Sequence, residues 1–352
     1  MVYVAGLLLV VAVVGVVTWR LLSGSTPYER ALDTLPASTL RSTFIDWAAV
    51  REQADGESLD ATSSRAEVTA FLNRAYDLDL ISGSGIYDST AVLAKRFGFS
   101  PLDARWEAFG QGRKGQVDVL RMEDGTDMEN IERSLRRLDY TAPRAGMGEG
   151  GTWVGGEDLV ARLDPDLSPL QQYVVVLPDR KLVLMSDQAG YVSAAADVAR
   201  GDEDSVLDAE GVGELADRAD TPVAAVQWTS TFACEDLSMG SADEEDQRVA
   251  DRLVDEAGKV SPLEGLVMAQ QDDRTLVVGM HFETSEQASA NLQTRVDLAS
   301  GDAPAQGGSF RDRFSVTSGE ADGQDVVLTL KPASEAPVLS DVSTGPVLFA
   351  TC

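Results

Sequence analysis

The chain has 352 residues, 43% of them hydrophobic and 6% aromatic, with a formal net charge of −29; this is ordinary globular composition, so the acidity belongs to folded surfaces rather than to a disordered polyelectrolyte. Such a surface repels phosphates and anionic headgroups, which argues against nucleic acid as a partner. Only two cysteines occur, Cys234 and Cys352, which excludes four-ligand zinc sites and Cys-x-x-Cys redox motifs.

Arginine outnumbers lysine 24 to 5, the mark of a high-GC genome, and halophilic adaptation is a rival source of the acidity. The two cysteines are expected to form a disulfide. It would close a loop of more than 100 residues, for which the chain-entropy model gives roughly 4 to 5 kcal/mol, and it would persist only in an oxidising compartment. Two unrelated thiols are the alternative.

From Met1 to Trp19 there is no charged side chain, and the apolar run passes Arg20 to reach Leu22. About 20 such residues span a bilayer core of ~30 Å. No basic residue precedes the run, and its length exceeds a signal-peptide core. A lipid-accepting cysteine is missing, because Ser25 stands where it would be. Residues 1–22 are therefore expected to be an uncleaved transmembrane anchor that makes the membrane a partner, and residues 23–38, with Pro27 and Pro36, a polar spacer. Arg20 and Arg30 follow the helix and taken alone would place the domain in the cytoplasm. The expected disulfide and the weakness of that rule for long translocated domains favour the outside.

Beyond the spacer the pattern predicts a strand at 42–48, a helix at 64–76, a hairpin over 105–112 and 116–122, and a helix at 127–138. A second set follows: strand 223–229, helix 243–258, hairpin 266–271 and 274–282, helix 285–299. Both read β-α-β-β-α. Capping boxes at Ser64/Glu67, Thr126/Glu129, Ser241/Glu244 and Thr284/Gln287 are expected to start the four helices. A shorter motif, Asp-Arg-x-Leu-Val, occurs at 179–183 and 273–277 and reads as a second sign of duplication, each copy at a hairpin turn. Between the sets lie a strand in "GGTWVGG", the hairpin "QYVVVLP/KLVLMS" and the helix "AGYVSAAADVA"; a closing hairpin follows at 313–318 and 325–331. The predicted fold is α+β: a transmembrane helix, then a tandem ferredoxin-like repeat of antiparallel sheets with helices on one face. Its lobes are expected at 39–205 and 206–352, with the boundary in the acidic segment 200–222.

Chemistry-bearing motifs are sparse. His281 is the only histidine and has no second histidine or nearby cysteine to make a typical zinc site or a Cys-His pair. A Ser-His-Asp triad would lack its Gly-x-Ser-x-Gly elbow, and "SGSG" at 82–85 reads as a loop. Acidic stretches at 164–169, 201–211 and 241–246 keep no EF-hand spacing and read as solvated faces. No phosphate-binding glycine motif is present. No catalytic residue, metal or cofactor is expected. The tryptophans read as core packing, with Trp19 in the membrane interface.

The apolar N-terminus, the stretch "LPASTLRSTFIDWAAVR" and the tandem α+β pattern resemble membrane-anchored or exported actinobacterial envelope proteins of unknown function. That resemblance covers most of the chain and implies no activity and no site residue. The function expected is a single-pass extracytoplasmic protein, a non-catalytic binding or accessory module whose partner is an envelope protein or cell-wall ligand. Two alternatives stay open: a carboxylate-dependent hydrolase of envelope polymers, which needs two acids facing each other in a cleft, and a cytoplasmic-facing regulator. The sequence sets no oligomeric state.

Overall fold

Many strands carry apolar side chains at consecutive positions, and a strand of that kind is buried on both faces. Val174 to Leu177 of β5 (Tyr173–Leu177) and all five residues of β6 (Leu182–Ser186) are buried. In the computed structural model, which describes residues 25–144, 150–333 and 337–352, these strands belong to one antiparallel sheet. Its other members are β1 (Arg41–Ile45), β2 (Ala104–Gly112), β3 (Gly115–Met122), β4 (Trp153–Val154), β7 (Ala224–Thr229), β8 (Gly265–Gln270), β9 (Leu276–His281), β10 (Phe314–Asp322) and β11 (Asp325–Pro332). The order across the sheet is β10-β11-β9-β8-β7-β1-β2-β3-β6-β5-β4. Read outward from its centre, β1-β2-β3-β6-β5 on one side mirrors β7-β8-β9-β11-β10 on the other.

The main helices are α1 (Pro27–Leu32), α2 (Trp47–Gln53), α3 (Arg65–Asp77), α4 (Met128–Arg137), α5 (Glu157–Leu163), α6 (Ala189–Arg200), α7 (Val212–Ala219), α8 (Phe232–Leu237), α9 (Glu244–Ala257), α10 (Ser285–Leu298) and α11 (Leu339–Val342). On one face, Trp47, Phe71 and Ile131 of α2, α3 and α4 share a core with Ile45, Leu120 and Met185 of the sheet. In the second half of that face, Ala250, Ala288 and Leu298 of α9 and α10 pack with Trp228, Met268 and Leu328. The opposite face is closed by α1, α6 and α7, whose Tyr28, Val192 and Leu215 meet Phe44, Val119 and Val267.

The tandem ferredoxin-like arrangement with helices on one face is therefore not what forms. The reason lies in β1 and β7. Each is buried along nearly its whole length, and they pair antiparallel with each other, Phe44 opposite Ala225 and Ile45 opposite Ala224. That pairing fuses the two element sets into one eleven-stranded sheet. The second apolar face that results needs a cover of its own, and helices on both faces supply it.

Three local expectations also change. The Asp-Arg-x-Leu-Val copies sit at the β5–β6 and β8–β9 turns, which are not equivalent positions in the mirrored strand order. They share turn chemistry, with Lys181 and Arg274 both at positive φ. Ser64 and Glu67 complete their capping box and Thr284 caps through its side chain, but α4 and α9 are capped by Asp127 and Asp243. A carboxylate there accepts the free N–H groups and also favours the helix dipole. Within 23–38, α1 docks on the sheet by burying Tyr28, Ala31 and Leu32. The expected anchor, residues 1–22, lies outside the described residues; among the described residues no helix is long and apolar enough to cross a membrane.

Candidate functional site

Cys234, on α8, and Cys352 are joined in a disulfide with Cα atoms 5.6 Å apart and a sequence separation of 118. The tail it holds is tied down by further contacts. Val347 N–H donates to the Leu237 carbonyl at 2.8 Å, and Met239 N–H to the Thr351 hydroxyl at 3.1 Å. Arg295 of α10, 0% exposed, donates to the carbonyls of Phe349 at 2.9 Å, Thr351 at 2.6 Å and Ser261 at 2.8 Å. Burial away from water lowers its guanidinium to about 10.

In the first half, two acids face the helical layer from neighbouring strands: Glu107 on β2 is 1% exposed and Asp118 on β3 is 0% exposed. Strand register sets Glu107 opposite Leu120 and Asp118 opposite Phe109, so the acids are diagonal neighbours. Glu107 accepts from the Trp47 indole N–H at 2.8 Å, the Ser84 hydroxyl at 2.9 Å and the Gly85 N–H at 2.9 Å. Among the described residues Asp118 has no donor within reach of either oxygen. Burial, then the Glu107 charge, then the hydrogen bond to Glu107 hold the Asp118 carboxyl well above the usual carboxylate range. Asp118 is thus the protonated member and donates to Glu107, whose own carboxyl burial also pushes up.

The backbone of Ser84 and Gly85 roofs this pair. A Cβ on Gly85 would lie 2.8 Å from Asp118 Oδ2 and 3.1 Å from Leu170 Cδ1, so only glycine allows the close approach. On the outer side of the same two residues opens a cleft of about 740 Å³ between α3, the turn Tyr87–Ser89 and residues 165–168. Arg65 forms an ion pair with Asp166 across it, and the Ser89 hydroxyl donates to the Asp166 carbonyl at 2.7 Å. Tyr76 at its rim is 54% exposed, and its ring lies 6.3 Å from that of Tyr87, tilted by 33°. Tyr76 thus presents an aromatic ring at the edge of a concave, largely polar cleft.

His281, 4% exposed, sits on the face of β9 that meets α7, with Nδ1 2.7 Å from Asp325 Oδ1. Arg218 donates from Nε to Asp325 Oδ2 at 3.1 Å and from its terminal nitrogen to Asp322 at 2.8 Å. The hollow beside this chain is lined by Glu210, Glu214 and Asp322 among others, and no serine, threonine or cysteine is among the described residues that line it. The hydrogen bond to Asp325 raises the imidazole above its usual value. A raised folded value stabilises the fold fully below the unfolded value near 6.5 and loses that contribution as pH rises through the folded one. Asp325→Asn should therefore cost more stability at pH 5.5 than at pH 8.5, measured by urea unfolding at the two pH values.

Among the described residues, those of the acidic stretches 164–169, 201–211 and 241–246 included, no group of three metal-ligating side chains could hold an ion. Sequence reasoning passed over Glu107, Asp118 and Arg295. Glu107 and Asp118 did carry a signal, because a charge flanked by Trp106 and Ala108, or by Val117 and Val119, in a strand buried on both faces must itself be buried.

No family model and no curated protein matches the chain. Among solved structures it is similar to TP0453 in crystal form III, at 8% identity and a TM-score of 0.45, with 89% of this chain and 96% of that chain covered. Crystal form I of the same protein gives 7% identity and a TM-score of 0.40 over the same shares. A likeness of that size is one of general outline and bears on no function.

Proposed function

We propose that the chain is a single-pass, membrane-anchored extracytoplasmic binding module, with residues 1–22 as its anchor and the cleft beside Tyr76 as its ligand site. The observation that carries this reading is the Cys234–Cys352 disulfide, since such bonds persist in oxidising compartments and are reduced in the cytosol. A binding role rather than hydrolysis is favoured by the acid pair. Hydrolysis needs two carboxylates separated across an open cleft, whereas Glu107 and Asp118 lie side by side, buried, with Glu107 occupied by three donors of the fold. Protease treatment of intact cells tests the reading. Loss of the folded domain without lysis is the expected result, and protection until lysis would overturn it.

A further inference from the structure

The Tyr76 cleft has a lining that selects among ligand chemistries. Tyr76 and Val154 are the exposed large hydrophobic residues among those described, and Tyr76 lines this cleft. Tyr87 beside it extends the aromatic surface. Below them the lining is polar: Asn73 offers an amide, and Asp88 and Asp166 offer carboxylate acceptors. Among the described residues of this lining Arg65 is the one cation, and it is already paired with Asp166. The cleft therefore carries about one net negative charge within a chain of net charge −29, and an anionic ligand would be repelled.

We infer that this cleft binds a neutral pyranose oligosaccharide, one sugar ring laid by its C–H face on Tyr76 and Tyr87 and its vicinal hydroxyls donated to Asp88 and Asp166. A pyranose fits because it has both surfaces the cleft asks for: an apolar ring face for the aromatic edge and a rim of hydroxyl donors for the carboxylates and the Asn73 amide. A purely apolar ligand would strand those acceptors without partners, at a cost comparable to leaving hydrogen bonds unmade. Tyr76 supplies a rigid, half-dry platform that loses little entropy on binding. This inference rests on the cleft being the ligand site proposed above.

The test uses the purified protein and four neutral hexasaccharides, those of cellulose, chitin, starch and β-mannan, with saturation-transfer NMR to detect contact and calorimetry to measure affinity. The expected result is binding of at least one, with saturation strongest on the C–H protons of one ring face. Tyr76→Ala should weaken it about tenfold, the value of one aromatic platform, while Tyr76→Phe keeps it. Unchanged thermal unfolding of both variants is expected because the side chain is more than half exposed. No transfer from any of the four sugars, equal affinity in Tyr76→Ala, or stronger binding of a sulfated oligosaccharide would each overturn the inference. A proline-rich decapeptide that binds in place of the sugars and is lost with Tyr76→Ala would overturn it in favour of a peptide. The result is read on isolated protein, so its failure is distinguishable from a failure of the extracytoplasmic reading, which is read in cells.

Discussion

Replacing Arg295 by alanine should lower the unfolding free energy by about 3–5 kcal/mol, because it leaves buried carbonyls without donors and opens a cavity in α10's packing face. The guanidinium reaches three carbonyls on two separate segments, Ser261 on one and Phe349 and Thr351 on the other. It also lies 5.8 Å from the centre of the Phe282 ring, and the carbonyl of Phe349 belongs to a cluster in which its ring meets those of Phe310 and Phe314. A compact ammonium on a flexible stem cannot span both segments with a fixed fork. Arg295→Lys should therefore recover only part of the loss. Urea unfolding of the three proteins with the disulfide intact is the measurement, and a loss below about 1 kcal/mol for the alanine variant would contradict the clamp.

Glu107→Ala should cost a comparable amount, about 3–5 kcal/mol, since it strands the Trp47 indole N–H, the Ser84 hydroxyl and the Gly85 amide in a buried site. Asp118→Asn should behave in the opposite way. Folded Asp118 keeps a proton that the unfolded chain releases near pH 4. Its contribution is neutral below that pH, and stability then falls as pH rises toward the raised folded value, by about 1.4 kcal/mol per pH unit for one retained proton. An asparagine amide can still donate to Glu107 but does not titrate. Denaturation between pH 4 and pH 8 should give a shallower decline for Asp118→Asn than for the native protein. Parallel curves would show that Asp118 is not the protonated member of the pair.

How much of this was legible in the sequence depends on range. Helix α3 could be placed from Ser64 and Glu67 because a capping box is a four-residue signal. Hairpins β2–β3 and β8–β9 followed from alternation and turn residues within about twenty positions. The fusion of the two element sets did not follow. It depends on β1 meeting β7 across almost two hundred residues, and nothing local distinguishes that pairing from two separate sheets. The overrun of the first strand, expected to 48 but ending at Ile45, has a local cause: Asp46 accepts from the Ala49 N–H and starts a helix with Trp47. The candidate cleft is the least legible part. Tyr76, Tyr87 and Asp166 come from three segments, and the roof over the acid pair rests on Gly85, whose need for glycine shows only once Asp118 lies beneath it.

The compartment in which Cys234 and Cys352 are oxidised separates an extracytoplasmic domain from a cytoplasmic one. The direct measurement is labelling of these two thiols in intact cells with a membrane-impermeant reagent, before and after treatment with an impermeant reductant. The expected result for an extracytoplasmic domain is no labelling at first and labelling of both cysteines after impermeant reduction. Free thiols that the reagent reaches only after lysis would contradict it and place the domain in the cytoplasm.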